Sequence, residues 1–179
     1  MKEIDRNDSY FSMCGLNCGV CPMQIHGDCG GCFTGSPCYE GCPIVHCEHR
    51  KDNMEYCFEC DKFPCDKYDG FDSYDSLIPH INCIKDMEKA KKIGIDKYLN
   101  ELKEKRQILE YMIDEYDCDN NDIFYCTAAN LMSVSDFRKV YEEAENVTKE
   151  LNQKEKSKYL IKRLKEVAKE HNIEIKLRR

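Results

Sequence analysis

The chain has 179 residues, 14 of them cysteine, and a formal net charge of −7. That length suits one domain, or one domain with a small appendage, and no apolar run approaches the roughly 18 residues of a membrane span. Residues 1–70 carry six Lys/Arg against twelve Asp/Glu, a poor match for phosphate backbones, so neither membrane nor nucleic acid is an expected partner.

The first twelve residues, MKEIDRNDSYFS, contain no apolar segment and no cleavage signature, so a cytoplasmic location with reduced thiols is expected. In that setting dense cysteines bind metal more often than they pair as disulfides. Eleven cysteines lie between Cys14 and Cys65, with seven of the nine glycines and four of the five prolines before residue 70. Large apolar residues such as Leu16, Ile25, Ile44, Phe58 and Phe63 are few in this stretch. They cannot close a core against the chain entropy of some ~50 residues, so cross-links are required.

The cysteines fall into four groups. Cys14, Cys18 and Cys21 open the series in CGLNCGVCP, and Cys29 and Cys32 follow in GDCGGC. Cys38, Cys42 and Cys47 form the third group, and Cys57, Cys60 and Cys65 the fourth. Three pairs, Cys18/Cys21, Cys29/Cys32 and Cys57/Cys60, have the C-x2-C spacing. That spacing lets one tight turn present two thiolates to one ion, with Zn–S near ~2.3 Å. Cys29/Cys32 with Cys57/Cys60 would complete one four-thiolate site. Cys65 is the simplest donor to complete the first triad, leaving Cys38, Cys42 and Cys47 to recruit a histidine. Of His26, His46 and His49, His49 is favoured because it follows Cys47 by two residues. The expected load is two to three Zn²⁺ ions.

Two iron–sulfur readings stand beside zinc. The C-x3-C-x2-C spacing of Cys14, Cys18 and Cys21 resembles the cluster motif of radical S-adenosylmethionine enzymes in spacing alone, and the βα alternation those enzymes need does not follow. A [4Fe–4S] carrier in electron transfer or an accessory redox step is the alternative to zinc, echoed by Cys21-Pro22 and Cys42-Pro43. The tight ferredoxin run is absent, which favours zinc.

These motifs resemble an uncharacterised family of small bacterial and archaeal cysteine-rich proteins, a domain of unknown function. The likeness covers about residues 12–70. It runs through Cys14 to Pro22, then Cys29, Gly31 and Cys32, then Cys42, Ile44 and Cys47, and closes with Cys57, Glu59, Cys60, Phe63, Pro64 and Cys65. Three residues separate Cys38 from Cys42 where the pattern leads one to expect two. The resemblance implies a metal-binding module and supplies no activity or substrate.

Beyond residue 70 the pattern is helical. A helix is expected over Ser76–Ile93, with Pro79 in its first turn. A second starts at Asp96 as N-cap after Gly94 and buries Leu99, Leu102, Leu109, Met112, Ile113 and Tyr116. Asp117, Asp119, Asn121 and Asp122 form an acidic turn rather than a calcium loop, because the sixth-position glycine and the closing glutamate are missing. Ser135 is the expected cap of a third helix carrying Phe137, Val140, Tyr141 and Ala144. A fourth, Lys154–His171, aligns Leu160, Ile161, Leu164, Val167 and Ala168. Residues 173–177 alternate apolar and polar and read as a short strand. Cys83, Cys118 and Cys126 are expected to be ordinary helical or core thiols.

The fold class is therefore mainly α, with about four helices, a short C-terminal strand and an irregular, metal-stapled N-terminal module. The boundary falls at residue 70, giving a cysteine-rich module over 1–70 and a helical part over 71–179. No Ser-His-Asp set, phosphate loop or HExxH is present, so a binding or adaptor role with a protein partner is expected over an enzymatic one.

Overall fold

The computed structural model describes residues 8–32, 36–51 and 54–178; residues 1–7 of the polar N-terminus lie outside these. Six α-helices are present among them: α1 (Pro22–Ile25), α2 (Cys83–Ile93), α3 (Ile95–Tyr116), α4 (Asp122–Leu131), α5 (Val134–Val147) and α6 (Gln153–Glu170). Three short 3-10 turns, Cys18–Val20, Cys57–Glu59 and Asp66–Tyr68, punctuate the cysteine-rich segment. No helix among the described residues is long and apolar enough to cross a membrane.

The axis of the molecule is α3, which packs against α2, α4, α5 and α6 and against the Cys18–Val20 turn. Its apolar residues recur at helical spacing, so one stripe of Leu99, Leu102, Leu109, Met112 and Tyr116 is buried while the charged face stays in water. Asp96 lies in the first turn and Gly94 is the cap: its φ of 92° turns the chain sharply from α2 into α3. Buried Phe137, Val140 and Ala144 from α5 and Leu160, Leu164 and Val167 from α6 close the other side. The same core takes in Phe11, Val20 and Tyr56 from the cysteine-rich segment, so that segment and the helices share apolar contacts.

Four sequence expectations are corrected. The expected strand at 173–177 is absent, and no strand occurs among the described residues. Its alternation is real, since Ile173, Ile175 and Leu177 are half-buried between exposed Glu174 and Lys176. No strand among the described residues lies beside it, and Ile173 and Ile175 pack on the helical core instead. The first long helix begins at Cys83, leaving Pro79 in an irregular loop. That loop is fixed by Asp75, whose carboxylate accepts the backbone N–H of His80 at 2.9 Å. The His80 ring also takes part, contacting the Phe71 carbonyl at 3.1 Å and Ser76 Oγ at 2.9 Å. A carbonyl can only accept, so Nδ1 carries the ring proton and Ser76 donates to Nε2. At α5 the cap is Ser133, which accepts the Asp136 N–H at 3.1 Å, and Ser135 lies inside the helix. Finally, six helices replace about four, because α1 and α4 were not expected.

Candidate metal centre

Backbone turns set the direction of each thiol. In the Cys18–Val20 turn the Cys21 N–H bonds the Cys18 carbonyl at 3.0 Å, and in the Cys57–Glu59 turn Cys60 bonds Cys57 at the same distance. The cysteine closing each turn has nearly the same backbone, φ −83° and ψ 136° for Cys21 against φ −82° and ψ 136° for Cys60. Two of the three C-x2-C units thus close with the same backbone shape. In the third unit the Gly31 N–H points at Cys29 Sγ, 3.4 Å away. Such N–H···S contacts are the surroundings that ligating thiolates take. The Ser12 hydroxyl accepts the Leu16 N–H at 2.8 Å and lies 3.0 Å from Cys14 Sγ, placed to donate to it.

The CGL motif has a packing reason. Gly15 has φ +90°, and a Cβ there would lie 2.4 Å from the Cys83 carbonyl oxygen and 2.6 Å from Met87 Cγ. The first cysteine loop therefore presses against the start of α2, and only glycine fits. The Cys57 N–H bonds the Met13 carbonyl at 3.1 Å, tying the last cysteine group to the first. Tyr68 sits between them, its hydroxyl donating to the Cys14 carbonyl at 3.3 Å.

No sulfur–sulfur bond joins any two cysteines among the described residues. Several of these thiols are neighbours in space. Cys14 lies within electrostatic reach of Cys32 and Cys42, and Cys18 within reach of Cys32. Cys21 neighbours Cys29 and Cys38, while Cys38 neighbours Cys29, Cys32 and Cys42. The thiols around Cys57 are Cys47, Cys65 and Cys60. The same four line a cavity of ≈ 30 Å³ together with Tyr68 and His49. Cys65 neighbours Cys57, and both pack against the apolar cluster that contains Cys14. Among the described residues no three His, Cys, Asp or Glu side chains converge closely enough to hold an ion as they stand.

The donor chemistry nevertheless suits a thiolate-binding cation. Burial and the neighbouring Cys32 push the Cys14 thiol well up, and Cys32 followed by burial does the same at Cys18. Burial pushes Cys57 up to about 11. Sulfurs crowded this way ionise reluctantly unless a cation supplies the opposing charge, which is what a bound divalent metal does.

The remaining predicted residues are placed as follows. His49 Nε2 accepts from Lys62 Nζ at 2.9 Å and stands 3.5 Å from Glu48. His26 faces Asp122 at 2.9 Å, and His46 contacts the Tyr39 carbonyl at 2.9 Å. Cys83 and Cys126 are buried, Cys126 within the helical core, whereas Cys118 is exposed beside Asp119.

One polar cluster carries no motif. Asn17 donates to Asp86 at 2.8 Å and accepts from the Tyr98 hydroxyl at 2.8 Å. Lys105 Nζ donates to the carbonyls of Ala129 and Met132 at 2.8 and 2.6 Å, closing the end of α4. Asp86, Tyr98 and Lys105 line a cavity of ≈ 340 Å³. Burial pushes the Asp86 carboxyl up and the Lys105 amine down to about 8. Asn17 lies 69 positions before Asp86, and the carbonyls that Lys105 meets lie 24 and 27 positions after it, so spacing carried no signal of the cluster. No protein-family model, no curated protein and no solved structure matches this chain.

Proposed function

We propose that this is a zinc-binding protein of the cytoplasm whose cysteine-rich segment is folded around two to three structural Zn²⁺ ions, and that it serves as a binding or adaptor module. The observation that carries the reading is the density of eleven thiols within residues 14–65, with three pairs of them at C-x2-C spacing. Bound zinc would supply the positive charge those groups lack and the cross-links that the short segment needs. The resemblance of residues 12–70 to a family of cysteine-rich proteins points the same way. Zinc is favoured over an iron–sulfur cluster by the three C-x2-C pairs and by the absence of a tight ferredoxin run. An adaptor role draws support from Tyr74, Leu77 and Ile81, which are 57%, 45% and 44% exposed on a loop held in place by Asp75.

The test is metal analysis with a visible spectrum on anaerobically purified protein. A colourless protein with about two to three zinc ions per chain is expected, from four ligands per tetrahedral ion. Brown protein with stoichiometric iron and acid-labile sulfide overturns the zinc assignment.

A further inference from the structure

We propose that the cavity of ≈ 340 Å³ lined by Asp86, Tyr98 and Lys105 is a binding site for a small phosphorylated organic molecule, with Lys85 and Lys105 holding its phosphate group. This goes beyond the metal-binding reading and draws on side chains for which that reading has no use.

Helix α2 gives the cavity its charged wall. Asn82, Lys85, Asp86 and Lys89 recur at three- and four-residue steps at the start of this helix, so they share the face turned to the cavity. The turn between α4 and α5 adds Met132 and Ser133, and Ile173 comes from the chain beyond α6. Asn82, Lys85 and Ile173 also line an adjoining cavity of ≈ 510 Å³, so Lys85 stands where the two spaces meet. Such volumes are those of a small organic ligand rather than of a lone ion. Met132 and Ile173 offer apolar contact to the body of that ligand, and the Tyr98 hydroxyl and the lysines offer polar contact.

Charge decides what that ligand carries. Glu101 is paired with Lys89. Asp136 lies in the first turn of α5, where the positive end of the helix offsets it, and accepts the Ser133 hydroxyl at 2.6 Å. Next door, Arg178 is held by Asp75 and Lys176 by Glu174, each at 2.7 Å. Among the described residues neither Lys85 nor Lys105 forms an ion pair. Lys105 donates to the Ala129 and Met132 carbonyls, which fix the amine but, being neutral, leave its charge uncancelled. Asp86 is the carboxylate left to oppose these two cations, and Asn17 engages it at 2.8 Å. His171, 3.4 Å from Asp136, adds a further positive charge when protonated. In a chain of net charge −7 this local excess of positive charge favours an anion. Lysines act as point charges that suit phosphate, whereas a planar carboxylate is met best by an arginine fork. No arginine among the described residues lines this cavity.

Titration of the full chain, as purified, with phenyl phosphate and with inorganic phosphate tests this, followed by amide NMR at neutral pH and constant ionic strength. Saturable shifts are expected over residues 82–89 and 130–136, with phenyl phosphate binding about fivefold more tightly than inorganic phosphate because its ring adds apolar contact. Lys85 is exposed, so Lys85→Gln leaves the fold intact and should weaken phenyl phosphate binding about tenfold. Lys176→Gln, confined to the adjoining cavity and already paired, should leave the affinity unchanged. Absence of saturation, or the same shifts on adding sodium chloride alone, overturns the site. Undiminished affinity in Lys85→Gln overturns the assignment of the phosphate to that lysine. Equal affinity for the two probes overturns the organic ligand and leaves a plain anion site.

Discussion

Asp75 holds together two segments that lie 103 positions apart. Its carboxylate accepts the Arg178 N–H at 2.7 Å and the Arg178 guanidinium at 2.7 and 3.2 Å, while the Asp75 N–H donates to the Arg178 carbonyl at 2.9 Å. The side chain of Asp75 is 1% exposed. Burial alone would raise its carboxyl, but the bonds from Arg178 and from the His80 N–H outweigh that and hold it down at about 2. Against an ordinary aspartate near ~3.9, the depressed value corresponds to about 2.5 kcal/mol of stability. Because the folded value is the lower one, this contribution is fully present above about pH 4 and is lost as pH falls toward 2. The buried ring of His80 has a lowered value, so its titration acts in a separate, higher window below about pH 6.5. Acid also protonates metal-binding thiolates, so the informative quantity is a difference. Urea unfolding of the unaltered chain and of Asp75→Asn should show a gap of about 2–3 kcal/mol at pH 6 that closes toward pH 2. A gap that is constant over this range would mean that the pair does not titrate with folding.

At the scale of elements, caps and faces differ in how plainly they were written. Helix α6 was legible from its apolar stripe, while the reciprocal cap of Asn152 and Glu155, at 3.1 and 3.2 Å, sets where it starts. Helix α4 was not, because six consecutive residues, Tyr125 to Asn130, are buried, leaving no polar stripe to set a period. The 173–177 alternation reported burial on one side, which a strand and an extended chain lying on helices share. The start of α2 was hidden because the restraint on residues 75–80 comes from Arg178, far along the chain. Clustered and scattered cysteines were separable by spacing, yet spacing could not show which thiols from different groups become neighbours in space, such as Cys47 and Cys57. At α5, Ser133 is followed three residues later by Asp136, the usual sign of a cap, whereas Ser135 is followed by Arg138. Ser133→Ala should cost about 1 kcal/mol in urea unfolding and Ser135→Ala no more than about 0.5 kcal/mol. Equal losses would show that the Asp136 N–H bond does not stabilise the start of the helix.

At the scale of the molecule, metal and helices are coupled through a shared core. Phe11 packs with a tilted ring against Tyr98 of α3, ring centres 4.6 Å apart, and Tyr56 lies 5.6 Å from Phe11. Arg106 of α3 reaches the Gly19 carbonyl at 3.0 Å and Gln24 Oε1 at 3.3 Å. Removing structural zinc, worth on the order of 10 kcal/mol to a small domain, would release Phe11, Val20 and Tyr56 together with the cysteine loops. Helix α2 and the first turns of α3 would then lose much of the surface they pack on. The far end is built differently. There Leu109, Met112, Tyr125, Phe137, Val140, Leu160 and Leu164 bury one another across α3, α4, α5 and α6. Regions with dense apolar contacts of their own open last. A strong chelator should therefore remove roughly a quarter of the helical signal in circular dichroism, that of α1, α2 and the start of α3. In hydrogen exchange, amides of residues 83–102 should lose protection while those of 108–116, 125–129, 137–144 and 160–168 retain it. Loss of all helicity in a single step would show that the helices cannot stand without the cysteine loops, and unchanged protection over 83–102 would show that metal holds nothing beyond its own segment.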